Sequence, residues 1–125
     1  MMLPPELAAD VRRRAVRPRG LPDGDWAWSQ DDARLALASL AGSIVAVFQA
    51  DAYAMPFGQR EVIHTGRSAS YFHHPGELAL QFAERSRQLA GEFVDTGSSD
   101  ELFVLYFSDQ NDAEAAYGSS NARAG

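Results

Sequence analysis

Histidines and carboxylates are the side chains in this sequence that could move a proton, and few fall at useful spacings. His64 follows Asp51 and Glu61 closely enough to face either one if the intervening chain folds back as a hairpin. A histidine beside a carboxylate can act as a general base, and Asp51 opposite Glu61 would form a carboxylate dyad. The pattern does not fix the register that either arrangement needs. His73 and His74 are adjacent, so in a strand or loop their rings point apart, and no carboxylate stands at an H-E-x-x-H spacing. No metal site is expected. The chain has no cysteine, so it offers no disulfide, thiolate ligand or cysteine nucleophile. It carries no G-x-S-x-G, P-loop or dinucleotide fingerprint. The expectation is a protein that is not an enzyme and holds no cofactor. A small enzyme using His64 with Asp51 or Glu61 is the alternative.

The aromatic residues say more. Trp26 and Trp28 are separated by one residue, so in an extended segment both project to one side. Burying one indole removes roughly 150–250 Å² from water, worth at most about 4–6 kcal/mol at ~25 cal/mol per Å². Trp26 is expected to anchor a helix to a sheet, and Trp28 either does the same or faces a partner. Tyr53, Phe57, Tyr71 and Phe72 fall at a strand end or in loops. An aromatic there is a lid over the core or an interface anchor.

These residues need a body to hold them. The 125 residues fit one domain, and 46% apolar with 22% charged residues is an ordinary globular composition. All eleven basic residues are arginine, and the formal net charge is −6. The charge is uneven: residues 1–20 hold five arginines against Glu6 and Asp10, net +3, while residues 21–122 hold five against fifteen acids, net −10. An acidic body repels nucleic-acid phosphates and anionic membranes and attracts a basic partner, although solubility alone would also account for it. No nucleic-acid or membrane partner is expected. No apolar run approaches a membrane span, Met1–Arg19 lacks the pattern of a signal peptide, and the expected location is cytoplasmic.

The elements follow from periodicity and breakers. Leu3, Leu7, Val11 and Ala15 predict a helix over residues 3–16. Arg17 to Gly24 is a turn-rich connector with two Pro and two Gly. Ser29 is an N-cap for a second helix at 30–41, with Asp32 three residues on and Gly42 as its stop. Residues 44–54 predict the clearest strand, with Gln49, Asp51 and Tyr53 on one face and Ala50 and Ala52 on the other. Residues 55–58 turn, 59–65 return as a strand, and 66–74 form a loop. A third helix runs from 75 to 93, and 102–107 is a strand apolar on both faces. The expected fold is α+β, one domain over residues 1–107: a three-stranded, mostly antiparallel sheet packed with three helices in the order α-α-β-β-α-β. Helix 75–93 as a crossover permits the last strand to run parallel to the first. Residues 108–125 are small and polar, and are expected to be disordered.

Several short segments recur together in a known family. Gly24-Asp25-Trp26-Ala27-Trp28 precedes a helix with Asp32-Ala33 and Ala36-Leu37; Ile44-Val45-Ala46-Val47 leads into Ala50-Asp51-Ala52-Tyr53; Glu84-Arg85-Ser86 is followed by Ala90 and Phe93; Phe103-Val104-Leu105 closes the domain. In this order and spacing, the chain from about Arg13 to Phe107 resembles the immunity protein 40 family of bacterial polymorphic toxin systems. It departs from the family in Gln49-Ala50, where a glycine is common before the acid, and in Tyr71-Phe72, where a Trp-Tyr pair is common. The resemblance implies an α+β protein that binds and blocks a cognate toxin domain made by the same cell. Many such toxins are nucleases, whose basic clefts would suit an acidic blocker. On this reading the expected contact residues are Trp28, Asp51, Tyr53, Glu61 and Tyr71, grouped around one end of the hairpin. A homodimeric structural or regulatory adaptor, paired through an exposed strand edge, is a further alternative, and the oligomeric state is open.

Overall fold

The computed structural model describes residues 3–108. It is α+β, with helices α1 (Ala9–Arg14), α2 (Gln30–Ser39) and α3 (Ala79–Asp95) and strands β1 (Trp28–Ser29), β2 (Val47–Ala54), β3 (Ile63–Ser70) and β4 (Leu102–Phe107). The strands form one sheet in the order β1-β4-β2-β3, and every neighbouring pair is antiparallel. Two expectations are corrected. The sheet has four strands, because Trp28 and Ser29 pair with Phe103 and Leu102. The last strand is antiparallel to β2: the crossover through α3 brings β4 parallel to β3, with β2 lying between them.

Helix α1 is shorter than residues 3–16. Leu7 N–H donates to Pro4 O, and Ala8 is extended at ψ 143°, so regular helix starts only at Ala9. The apolar spacing still works, since Leu7, Val11 and Ala15 are all buried. Ser29 caps α2 as its position implied, its Oγ accepting from Asp32 N–H at 3.3 Å. β3 begins later than expected and runs to Ser70, taking in most of the expected loop. It is an edge strand with largely exposed residues, so it lacks the apolar alternation of a buried strand.

The main core lies between the sheet and the helices. Ala33, Ala36 and Leu37 from α2, its C-cap Leu40, and Phe82, Ala83, Ala90 and Val94 from α3 meet Val47, Ala50, Ala52, Phe103 and Leu105 of the sheet. Trp26 and Trp28 both pack on this side, as their spacing implied, and Trp28 Nε1–H donates to Val11 O at 3.0 Å. A smaller apolar cluster of Ala27, Tyr53, Val62 and Val104 lies on the opposite sheet face, flanked by Leu21, Leu102 and Tyr106.

The run into β2 is held by side chains. Residues 44–46 read as strand by composition, yet regular pairing begins at Val47. Arg87 of α3 donates to Ser43 O at 2.8 Å and to Val45 O at 2.7 Å. Ala46 N–H donates to Ser108 Oγ at 2.8 Å, Ser108 N–H returns a bond to Ala46 O, and Val47 N–H donates to Ser86 Oγ at 3.0 Å. Backbone groups that a neighbouring strand would otherwise satisfy are met in this way, as burial demands. Burial lowers the Arg87 pKa, against an opposing pull from Glu84, but a guanidinium stays charged in proteins. The disordered tail expected from residue 108 onward falls, Ser108 apart, outside the described residues; Ser108 itself is buried and belongs to the body.

Arg87→Ala would strip the buried Val45 carbonyl and the part-buried Ser43 carbonyl of a charged donor. It should cost about 3 kcal/mol and lower the melting temperature by roughly 10 °C, read by circular dichroism. Arg87→Lys, with one charged donor group, should recover part of the loss.

Candidate functional site

The helices cover one face of the sheet. The other face is crossed only in part, by the connector between α1 and β1. Its path is fixed by backbone contacts: Val16 and Ala27 exchange hydrogen bonds at 2.8 and 2.9 Å, and Val62 N–H donates to Arg19 O at 2.8 Å. Gly20 sits at φ +102°, where a Cβ would come within 2.0 Å of Val62 O, so only glycine fits. Alternation then decides what reaches the open face. Asp25 and Ala27 fall opposite Trp26 and Trp28; Val104 and Tyr106 fall opposite Phe103 and Leu105; Asp51 and Tyr53 fall opposite Ala50 and Ala52.

Polar groups gather there. Tyr106 Oη–H donates to Asp25 Oδ2 at 2.7 Å. Gln49 Nε2 donates to both oxygens of Asp51, at 3.0 and 3.1 Å. His64 Nε2 lies 3.5 Å from Asp51 Oδ1 and 3.4 Å from Ser68 Oγ, and its ring meets Tyr53 edge-on at 5.2 Å. Asp25 and Asp51 are 8% and 4% exposed, so they lie just beneath the surface. Burial first, then Asp51 and Asp25, push the Tyr53 phenol above its ordinary pKa. Tyr106 is raised by burial, by its bond to Asp25, and by the nearby Asp51 and Tyr53. Several of the body's arginines are engaged elsewhere, Arg34 with Asp31 and Asp95, Arg67 with Glu101 and Arg85 with Glu77, while Arg60 is exposed in the β2–β3 turn beside Glu61.

The geometry bears on catalysis. Gly66 N–H donates to His64 Nδ1 at 2.9 Å, which makes Nδ1 the acceptor and leaves the proton on Nε2. Asp51 and Ser68 both face that same nitrogen. A nucleophile relay needs the hydroxyl on one ring nitrogen and the carboxylate on the other, so these three side chains do not form one. Glu61 precedes β3 and is exposed, while Asp51 pairs with Ser68 in the ladder, so no Asp51–Glu61 dyad forms. Among the described residues, no three histidine or carboxylate side chains converge as metal ligands. Residues 17–25 surround a half-open cavity of about 350 Å³, whose lining sets Arg17 and Arg19 with Asp23 and Asp25.

Of the five expected contact residues, the sheet brings Asp51 and Tyr53 together under the open face, and Glu61 lies in the adjoining turn. Trp28 and Tyr71 are corrected. Trp28 is wholly inside the main core, and Tyr71 packs in that same core on the helix side. Neither offers its ring to a partner. The open-face residues missed by sequence reasoning are Asp25 and Tyr106, while Gln49 was placed on the face of Asp51 and Tyr53; extending the Trp26/Trp28 alternation one step back would have placed Asp25. Of the loop aromatics, Phe57 and Phe72 are the exposed ones, while Tyr53 and Tyr71 are lids.

Comparison with known proteins finds no matching family model, no matching curated protein and no matching solved structure. No helix among the described residues is long and apolar enough to cross a membrane.

Three phenols withdrawn from water, Tyr53 and Tyr71 buried and Tyr106 partly so, give the fold an alkaline limit. Tyr53 and Tyr106 are raised above 10.0, and Tyr71 is pushed up to about 12, by burial and then by Glu92. Above about pH 10 the unfolded chain loses these protons while the folded one keeps them, so stability falls as pH rises. Urea unfolding between about pH 8 and 12 should show this decline, and Tyr71→Phe should flatten part of it. The Tyr71 hydroxyl has no hydrogen-bond partner among the described residues, so at neutral pH the same variant should lose less than about 1 kcal/mol.

Proposed function

We propose that this chain is a bacterial immunity protein that binds one cognate toxin domain in the cytoplasm and neutralises it by covering its working surface. The observation that carries the reading is the open sheet face, where Asp25 and Asp51 lie beside Tyr53, Tyr106, Gln49 and His64. Carboxylates largely withdrawn from water are screened less by salt than fully solvated ones. They lend the face a negative potential, while His64, Ser68, Gln49 and Tyr106 supply its hydrogen-bonding groups. Such a face suits a basic partner, and a nuclease cleft that grips phosphates is basic by necessity. Steering between opposite potentials speeds capture, which matters when a toxin must be blocked before it acts. The likeness of residues 13–107 to the immunity protein 40 family supports the same reading, and blocking requires no reaction centre in the blocker.

The test is co-expression with the C-terminal domain encoded by the gene immediately upstream. Cells should survive, and a one-to-one complex should purify. Asp25→Asn with Glu61→Gln should slow association several-fold and weaken its salt dependence, with a smaller effect on dissociation. Continued killing with no complex would contradict the proposal.

A further inference from the structure

The edge strand contains a bulge that a histidine ring helps to close. β3 opposes β2 at Tyr53–His64 and again at Asp51–Ser68, so Thr65, Gly66 and Arg67 together stand opposite Ala52. Three bonds hold this extra length of chain. Thr65 Oγ1 donates to Ala52 O at 3.1 Å, Arg67 N–H donates to Thr65 Oγ1 at 3.1 Å, and Gly66 N–H donates to His64 Nδ1 at 2.9 Å. The first two involve no titratable group. The third needs the lone pair on Nδ1, and an imidazole gains its second proton between about pH 5 and 8. A proton arriving at Nδ1 turns that acceptor into a donor. Gly66 N–H and Nδ1–H then point at one another, and one of them must move.

The surroundings of the ring decide which. From β2, Asp51 Oδ1 lies 3.5 Å from Nε2, and the Tyr53 ring meets the imidazole edge-on at 5.2 Å. From β3, the neutral Ser68 Oγ lies 3.4 Å from Nε2. The cation nearest in the strand, Arg67, is turned away to Glu101, Phe93 O and Thr96 Oγ1. Asp25 of the connector and Tyr106 of β4 are bonded to each other and act on the same face through Tyr53. The group closest to Nε2 that carries charge is therefore a carboxylate, and an opposite charge at this range favours the protonated ring where it stands. Gly66 has the freedom that the ring lacks. It sits at φ +88°, and a Cβ built on it would meet nothing within 4 Å, so its peptide borders open space where water can take the released N–H. Thr65 and Arg67 stay tied on either side of it.

We propose that His64 is a proton-operated latch on the sheet edge. Neutral, it closes the Thr65–Arg67 bulge by accepting from Gly66. Protonated, it releases Gly66 while Nε2–H holds Asp51. Acid therefore loosens the rim beside the open face and leaves the helices and the central strands as they were. This device does not depend on the immunity reading and would operate in the free protein.

The test is NMR spectroscopy of the full chain labelled with nitrogen-15, followed from about pH 8 to about pH 5. At the upper pH a scalar coupling across the N–H···N bond should connect the Gly66 amide to His64 Nδ1. On acidification the coupling should vanish, and the Gly66 amide shift should follow the midpoint of the His64 ring. Exchange protection of the Gly66 amide, corrected for the intrinsic rate, should fall by about 3-fold or more, with the amides of β2 and α3 unchanged. In His64→Asn the side-chain oxygen can accept from the N–H two residues on but does not titrate. That variant should keep Gly66 bonded and lose the pH response. A Gly66 amide that stays still while the His64 ring titrates would overturn the proposal. So would the same response persisting in His64→Asn, or a loss of amide dispersion throughout the body over that range.

Discussion

The structure depends on how the chain enters its central strand. Ser43 to Ala46 reach β2 under α3, ahead of the first ladder pair, Val47 with Phe107. Arg87, Ser86 and Ser108 meet backbone groups of this run and the Val47 N–H, from α3 and from the residue just past β4. Leaving buried peptide groups unpaired would cost more than burying one arginine and two serines that pair them. These contacts tie α3, β2 and the end of β4 together in one place. They also set which side of β2 faces the helices, and so which side is left open.

What remains open is chemically unlike what is covered. Ala50 and Ala52 go under the helices; Asp51 and Tyr53, one step out of phase, go to the other face. The same alternation in Asp25-Trp26-Ala27-Trp28 and in Phe103–Tyr106 delivers Asp25 and Tyr106 beside them. The connector then crosses this face through Val62 and Gly20, and its grip on Val62 also steadies the β2–β3 turn. At the opposite edge, β3 is blunted. Its register slips between the Asp51 and Tyr53 pairings, His64 and Thr65 bond the backbone of Gly66 and Arg67, and the Arg67 side chain reaches Glu101. Such irregularity guards an edge against indiscriminate pairing, which favours recognition through the face and turn over dimerisation through the strand.

Much of this was legible in the sequence, for identifiable reasons. The three helices, the α+β class and the facing of β2 follow from spacing that burial enforces. The Ser29 cap and the shared side of Trp26 and Trp28 are local rules that tertiary contacts left intact. The two-residue β1 was not legible, because its strand character comes from pairing with Leu102 and Phe103. β3 was misplaced because an edge strand bearing His, Thr, Gly, Arg and Ser has the composition of a loop. Trp28 and Tyr71 looked like contact residues because an aromatic near a turn serves a lid and an anchor equally well; only the direction of the chain around it decides. Phe57, weighed on the same terms, turned outward.

The central claim is that the open face and its turn form the working surface. Hydrogen–deuterium exchange of the chain, alone and with the upstream-encoded domain proposed as its partner, tests it most directly. The account predicts new protection over residues 17–25, 49–57 and 60–68, with α2 and α3 unchanged. Protection centred on the outer surface of α2 and α3, with the open face exchanging as before, would contradict it.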